Sequence, residues 1–397
     1  MKTPARRILV IVTRRIGDVL LTTPLIRSIK QAWPETQIDA LVFENTQGVL
    51  SCNPDLHRVI TVPERPRLVQ HLKLLWRLLR RYDIALSTHT GDRPTMYAWI
   101  AGKWRAGLLN PRKKERWKTY LLSRWVEFDN LNTHTVLMNL KLADLLNIPR
   151  SAETVVAWDP HDEQRTLALL PFDPINQAFA VLHVYPKFNY KMWHPQGWID
   201  VAQWLDNQGL RIVLSGSGDT KEQNFVATLA SAMPAGSVNL AGKLSIPQVG
   251  SLLNRARLYL GPDTLVTHMA AALGTPTVAL YGPSNPVKWG PWPRGHSLES
   301  NPWGRLGSQK LGNVQLVQGP GACVPCLLEG CDRHVASFSD CLQQLSSVKV
   351  IAAAQELLGK YPAVLRDSPP AASSAASAPP CPPLSSTRLT GVGMRER

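Results

Sequence analysis

Short apolar runs and amphipathic stretches alternate along most of the chain. Runs at 8–12, 38–43, 59–62 and 84–87 are almost continuously apolar and predict buried strands rather than half-exposed ones. Segments 24–33, 68–82 and 135–146 repeat apolar residues at three- and four-residue spacing and predict helices. A stretch at 159–176, rich in Pro, Asp and other polar residues, interrupts this rhythm and predicts a connection between domains. The rhythm then restarts, with strands expected at 178–184, 212–215, 258–260 and 277–281. Helices are expected at 197–207, 221–232, 247–254 and 265–273. Strands that alternate with helices build parallel sheets covered on both faces.

The expected fold class is therefore α/β, with two Rossmann-like doubly wound domains facing a cleft, the GT-B architecture. The boundaries read as an N-terminal domain over 1–165, a C-terminal domain over 176–345, a helix over 346–365 and a tail over 366–397. The tail, which includes Cys381, is Pro, Ser and Ala with scattered arginines, too poor in core-forming residues to order itself.

A chain of 397 residues with 44% apolar content suits two domains with real cores. No run of eighteen apolar residues occurs, so no membrane span is expected. The basic start leads into the apolar run 8–12, but Arg14-Arg15 follows rather than a small-residue cleavage site. A first buried strand and a cytoplasmic location are expected. The net charge of +15 implies an anionic partner: nucleic acid, a phosphorylated small molecule or an anionic membrane. A nucleic-acid binder would place stacking aromatics on strands among basic residues, whereas the aromatics here fall mainly in predicted helices and loops. No nucleic-acid partner is expected.

Chemistry gathers at predicted strand ends, where a doubly wound sheet binds its ligands. The first junction reads Arg14-Arg15-Ile16-Gly17-Asp18, followed by Thr23-Pro24 as an N-cap and first helical position. Asp18 is either a carboxylate offered to a substrate hydroxyl or a helix cap. Asp263 and Thr264, after the strand at 258–260, open a helix that carries His268 one turn on. They either cap an ordinary helix or leave its N–H groups to grip a diphosphate. Lys191 is a solvated loop lysine or the cation that neutralises a leaving diphosphate. Glu222 is a surface glutamate or a ribose ligand. Gly282, in Tyr281-Gly282-Pro283, suits close approach of a ligand to the backbone. Trp289 and Trp292 read as packing residues.

Several of these pieces together resemble glycosyltransferase family 9, the lipopolysaccharide heptosyltransferases. The likeness rests on residues 15–24, Lys191-Met192-Trp193, Asp263-Thr264 with His268, and residues 274–283, and it spans about 7–360. The run Asp55-Leu56-His57-Arg58-Val59-Ile60 is most similar to the branch that adds a third heptose. The resemblance implies an inverting, metal-independent transfer from an ADP-activated heptose to phosphorylated, lipid-anchored inner core at the cytoplasmic face of the inner membrane. It makes 1–165 the acceptor domain and 176–345 the donor domain. It implies Asp18 as general base, and Lys191, Glu222, Asp263, Thr264, His268 and Gly282 at the donor. Arg15 and Gly17, with Asp92 and Arg93, are the acceptor candidates, and Asp92 is the alternative base. Leu265 departs from the family, which usually has Gly there, and limits how closely a phosphate approaches that backbone. The alternatives are a related transferase with another nucleotide sugar or acceptor, an epimerase of the same fold, or a non-enzymatic nucleic-acid binder.

Cys323, Cys326, Cys331 and Cys341 form a cluster with one ligand-like pair spacing. It is a candidate structural metal site, with free thiols or a disulfide as alternatives; no cofactor is expected for catalysis. The basic stretch 105–118, and Arg77, Arg80 and Arg81 on the Leu-rich helix, are candidates for meeting the anionic acceptor. The leucines of that helix are expected in the core.

Overall fold

The computed structural model describes residues 4–110, 113–298 and 300–361. The chain divides into two compact units, 1–157 with 295–301, and 158–294 with 302–397. The predicted tail and Cys381 lie outside the described residues. Among the described residues, no helix is long and apolar enough to cross a membrane.

The first unit is built on strands β1 (Arg7–Val12), β2 (Gln37–Phe43), β3 (Arg58–Val62), β4 (Tyr82–Ser87), β5 (Gly102–Leu109) and β6 (Arg124–Glu127). They form a parallel sheet in the order β3-β2-β1-β4-β5-β6. Ile8 to Val12 are wholly buried, because β1 sits mid-sheet with helices on both faces. The helices are α1 (Ile16–Leu20), α2 (Thr23–Ala32), α3 (Leu68–Leu78), α4 (Asp92–Ala101) and α5 (Thr135–Leu146). Thr22, rather than Thr23, takes the N-cap position of α2. The run that includes His57 and Arg58 works at the other edge of this sheet. His57 and Arg58 bond the buried Asp39 at 3.0 and 2.7 Å, and Tyr82 donates to it at 2.6 Å.

The second unit carries β7 (Phe179–His183), β8 (Arg211–Ser215), β9 (Val238–Asn239), β10 (Leu258–Pro262), β11 (Thr277–Tyr281), β12 (Gln309–Leu311) and β13 (Val314–Gln318). Their order is β12-β13-β11-β10-β7-β8-β9, parallel throughout except β12 against β13. Its helices are α6 (Pro160–Leu167), α7 (Pro195–Asn207), α8 (Thr220–Ser231), α9 (Ile246–Arg255), α10 (Leu265–Leu273), α11 (Pro286–Trp289), α12 (Asp340–Gln343) and α13 (Ser347–Lys360).

The stretch expected as a connection holds α6. Asp159 caps it by accepting from Asp162 N–H at 2.7 Å, and Pro160 occupies the first turn. Glu163 ties it to Arg255 on α9 at 2.6 Å, so residues 158–167 belong with the second unit rather than the first. The core of the second unit gathers Trp193, Trp198, Leu214, Leu260, Leu342 and Val350.

Candidate active site

Each sheet reverses its winding at one place, between β1 and β4 in the first unit and between β7 and β10 in the second. Loops leaving the carboxyl ends of such strands form the ligand crevice of a doubly wound sheet. Most of the residues singled out from the sequence fall on these loops or in the first turn of the helices that follow them.

In the first unit, Asp18 lies inside α1 rather than at its cap, which is Arg15. Its side chain is largely buried and lies 3.3 Å from Arg14 Nε. The β4 loop is laced to β1, since Thr88 N–H and hydroxyl both reach the Ile11 carbonyl. His89 follows, its Nδ1 accepting from Gly91 N–H at 3.0 Å. Burial, reinforced by the Arg14 and Lys118 charges, lowers its pKa to about 4, so the imidazole stays neutral near pH 7.

The described residues of the basic stretch 105–118 fall on β5 and on a helical turn over Lys113–Tyr120, in which Lys118 is buried. Lys118 is 1% exposed, donates to the Thr90 carbonyl at 2.6 Å, and pairs with Asp92 at 2.7 Å. It therefore fixes the β4 loop instead of meeting an external anion. Arg93 donates to the Glu64 carbonyl at 2.7 Å, which commits one arm of its guanidinium to the chain. Among the acceptor candidates, Gly17 is half-buried and Arg15 exposed.

In the second unit, Lys191 ends a short turn after β7 and places Nζ 2.5 Å from Asp263 Oδ2, just beyond β10. Tyr281, at the end of β11, donates to the Trp289 carbonyl at 2.7 Å and stands 3.3 Å from Asp263 Oδ1. His268 Nε2 lies 3.7 Å from the same oxygen, and its buried Nδ1 has no hydrogen-bond partner among the described residues. Burial works against ionisation of Asp263, yet the Lys191 ammonium and the His268 imidazole hold its carboxyl well below the usual carboxylate range. Asp263 thus orients a cation; it does not itself face an anion. Thr264 occupies the N-cap position of α10 without a side-chain capping bond, so the first-turn N–H groups are not closed off by it.

Glu222 is buried, not a surface glutamate. It accepts from Ser217 N–H at 2.8 Å and from the Ser217 hydroxyl, while burial raises its pKa. A carboxylate has about four lone-pair sites, so capacity for a ligand hydroxyl remains. Gly282 serves packing. A Cβ there would stand 2.7 Å from Leu342 Cγ and 2.9 Å from Cys341 Sγ, which requires glycine without any ligand. Trp292 is buried and Trp289 half-buried.

The four clustered cysteines are free thiols, not disulfides. Burial, helped by the neighbouring cysteines, pushes the Cys341 thiol up to about 12. Among the described residues, no three of these sulfurs lie within 4.8 Å of one another, so as they stand they do not form a ligand set.

A family model described as glycosyltransferase family 9 (heptosyltransferase) matches residues 72–304, more than half of the chain. The chain belongs to this family. Lipopolysaccharide heptosyltransferase 3 of Escherichia coli is 25% identical over 295 residues, which cover 70% of this chain and 83% of that protein. A family 9 glycosyl transferase from Veillonella parvula superposes with a TM-score of 0.73 at 20% identity, covering 91% of this chain and 99% of that one. The E. coli heptosyltransferase WaaC with ADP gives 0.66 at 22% identity, covering 88% and 99%. The fold class expected from the sequence is thereby the fold of this glycosyltransferase.

Sequence reading of this enzyme gave His89 and His183 no role, and it placed Lys118 in the basic stretch offered to the acceptor, whereas Lys118 is buried. The signal for His89 was present, since it follows a strand end just as Asp18 does. His183 closes β7, pairs with the Ser215 hydroxyl at 3.1 Å, and has its pKa lowered to about 4 by burial. Both imidazoles are neutral in the folded state, so the unfolded chain binds more protons between pH 4 and 6.5. Their contribution to stability is fully present above pH 6.5 and is lost as pH falls towards 4. His183 alone should cost about 3 kcal/mol over that window. Urea unfolding at stepped pH checks this, and a stability that stays flat from pH 6.5 to 4 would contradict it.

Proposed function

We propose that this enzyme moves a heptose from ADP-L-glycero-D-manno-heptose to the phosphorylated inner core of lipopolysaccharide, inverting the anomeric centre. The observation that carries the reading is the Lys191–Asp263 pair at the carboxyl edge of the second sheet. It holds a fixed ammonium beside the open first turn of α10, where a departing diphosphate would gain both a cation and N–H donors. The names of the relatives support heptose as the sugar and lipopolysaccharide as the acceptor. WaaC, a structural neighbour, was solved with ADP and with ADP-2-deoxy-2-fluoro heptose, which supports the ADP half of the donor.

In this reading Asp18 takes the proton from an acceptor hydroxyl as that oxygen attacks the anomeric carbon opposite the diphosphate. Such general-base help is worth ~10²–10⁴-fold. Lys191 and His268 balance the charge that grows on ADP. Glu222 receives the ribose. The acceptor stays anchored in lipid, so the enzyme works at the cytoplasmic face of the inner membrane.

The experiment is to incubate purified protein and core acceptor with ADP-heptose, GDP-sugars and UDP-sugars in turn, following nucleotide release. Release confined to ADP-heptose is expected; faster turnover with a GDP- or UDP-sugar would overturn the donor assignment. In the same assay EDTA should leave the rate unchanged, because an ammonium and N–H donors stabilise the leaving group. A loss within minutes that magnesium or manganese restores would refute metal-independent transfer.

A further inference from the structure

Helix α3 is apolar on both faces, and among the described residues only one of them has a partner inside the protein. Leu74 and Leu78 enter the core beside Tyr97 and Ala98 of α4, and His71 meets the Tyr97 ring edge-on at 5.6 Å. The other face carries Leu68, Leu72 and Trp76, which recur every four residues and so form one stripe, with Val69 beside it and Leu79 just past the helix end. These side chains are between 55% and 72% exposed. A contiguous exposed stripe of this kind marks an interaction surface.

The charge around the stripe identifies the partner. Between Arg65 and Tyr82 there is no acidic residue, while Arg65, Arg67, Lys73, Arg77, Arg80 and Arg81 are all exposed. The Arg81 guanidinium lies over the Trp76 ring, 5.9 Å from its centroid. Long cationic side chains flanking a Leu and Trp stripe on a short helix match a bilayer interface. The apolar face enters the acyl boundary while the cations reach out to headgroup phosphates. Eleven residues cannot span a bilayer, so such a helix lies in its plane.

We infer that the outward face of α3 docks the enzyme on an anionic lipid bilayer. This deepens the proposed function, resting on its lipid-anchored acceptor, and names the surface that would bring the enzyme to it.

The test uses the full chain, sedimented with vesicles of phosphatidylethanolamine and phosphatidylglycerol, and separately with phosphatidylcholine alone. Binding to the anionic vesicles and not to the neutral ones is expected. L72Q/W76Q, at exposed positions, should weaken that binding about tenfold or more. R65Q/K73Q, also at exposed positions, should weaken it about fivefold per charge removed. Equal binding by the wild type and both variants, or equal binding to neutral vesicles, would overturn the proposal. So would a lipid-free dimer that L72Q/W76Q dissolves, since the stripe would then join two copies. With delipidated, soluble core acceptor, both variants should release ADP at the wild-type rate. A loss there would assign the stripe to acceptor recognition and overturn docking. Failure of the wild type with that same soluble acceptor would instead count against the proposed transfer, independently of the vesicle result.

Discussion

Replacing Asp18 with Asn should leave the protein folded, leave ADP-heptose binding nearly unchanged, and all but abolish transfer. The substitution keeps the shape of a side chain that is only 9% exposed inside α1. It removes the basic oxygen, so the transition state should lose ~3–5 kcal/mol, the equivalent of ~10²–10⁴ in rate. The charge partner Arg14, at 3.3 Å, loses one ion pair that is partly exposed, a small effect on stability. The donor candidates belong to the second unit, which is why binding and turnover should separate. Calorimetry with ADP-heptose and a single-turnover assay measure the two quantities. Near-normal turnover would remove Asp18 from the chemistry. Asp92 would be a poor replacement, because the Lys118 ammonium already neutralises it at 2.7 Å.

Lys191→Met should be costly twice over. Asp263 is buried, and its carboxylate faces the Lys191 ammonium at 2.5 Å. Removing that ammonium strands a buried charge, which typically costs ~3–5 kcal/mol. His268 at 3.7 Å and the Tyr281 hydroxyl at 3.3 Å keep the loss towards the lower end. Lys191→Met with Asp263→Asn removes both charges and should recover most of the stability, because well-packed neutral replacements of buried pairs are often neutral. It should not recover transfer, since losing one preorganised group opposite a developing negative charge costs ~10²–10³ in rate. Urea melts of the single and double variants, set beside their turnover, check the split. A double variant with wild-type turnover would reduce Lys191 to a structural role.

The doubly wound frame was legible because parallel strands buried on both faces leave continuous apolar runs such as Ile8 to Val12. β5 was not, because Gly102-Lys103-Trp104-Arg105 opens it with residues that read as a basic surface segment. Periodicity located α3 but could not say which side would be covered. Leucines assigned to the core at 68, 72 and 79 prove exposed, while Leu74 and Leu78 are the ones inside. At the site, Asp18, Lys191 and Asp263 do lie beyond strand ends, as the sequence indicated. Whom each side chain faces depends on contacts between residues far apart in sequence, and spacing carries no trace of those. That is why Arg93 turned towards Glu64, why Asp263 serves a lysine, and why Gly282 is held by Cys341 and Leu342.

Residues 295–301 belong to the first unit although the rest of that unit ends at Ala157. Within it, Asn301 accepts from the His134 N–H at 2.8 Å and donates to the Asn132 carbonyl at 2.7 Å, holding the chain that enters α5. On a ribosome this closing piece emerges only after residues 158–294 of the second unit have been made, roughly 7–30 s later at typical elongation rates. Through that interval the chain entering α5 has its local bonds, which Asp129 accepts from the Leu131 and Asn132 N–H groups and the Thr133 hydroxyl, but lacks the two made by Asn301. Completion of the first unit is thereby timed by translation of the other half, and a ribosome stalled before position 301 would release a first unit that is still unfinished.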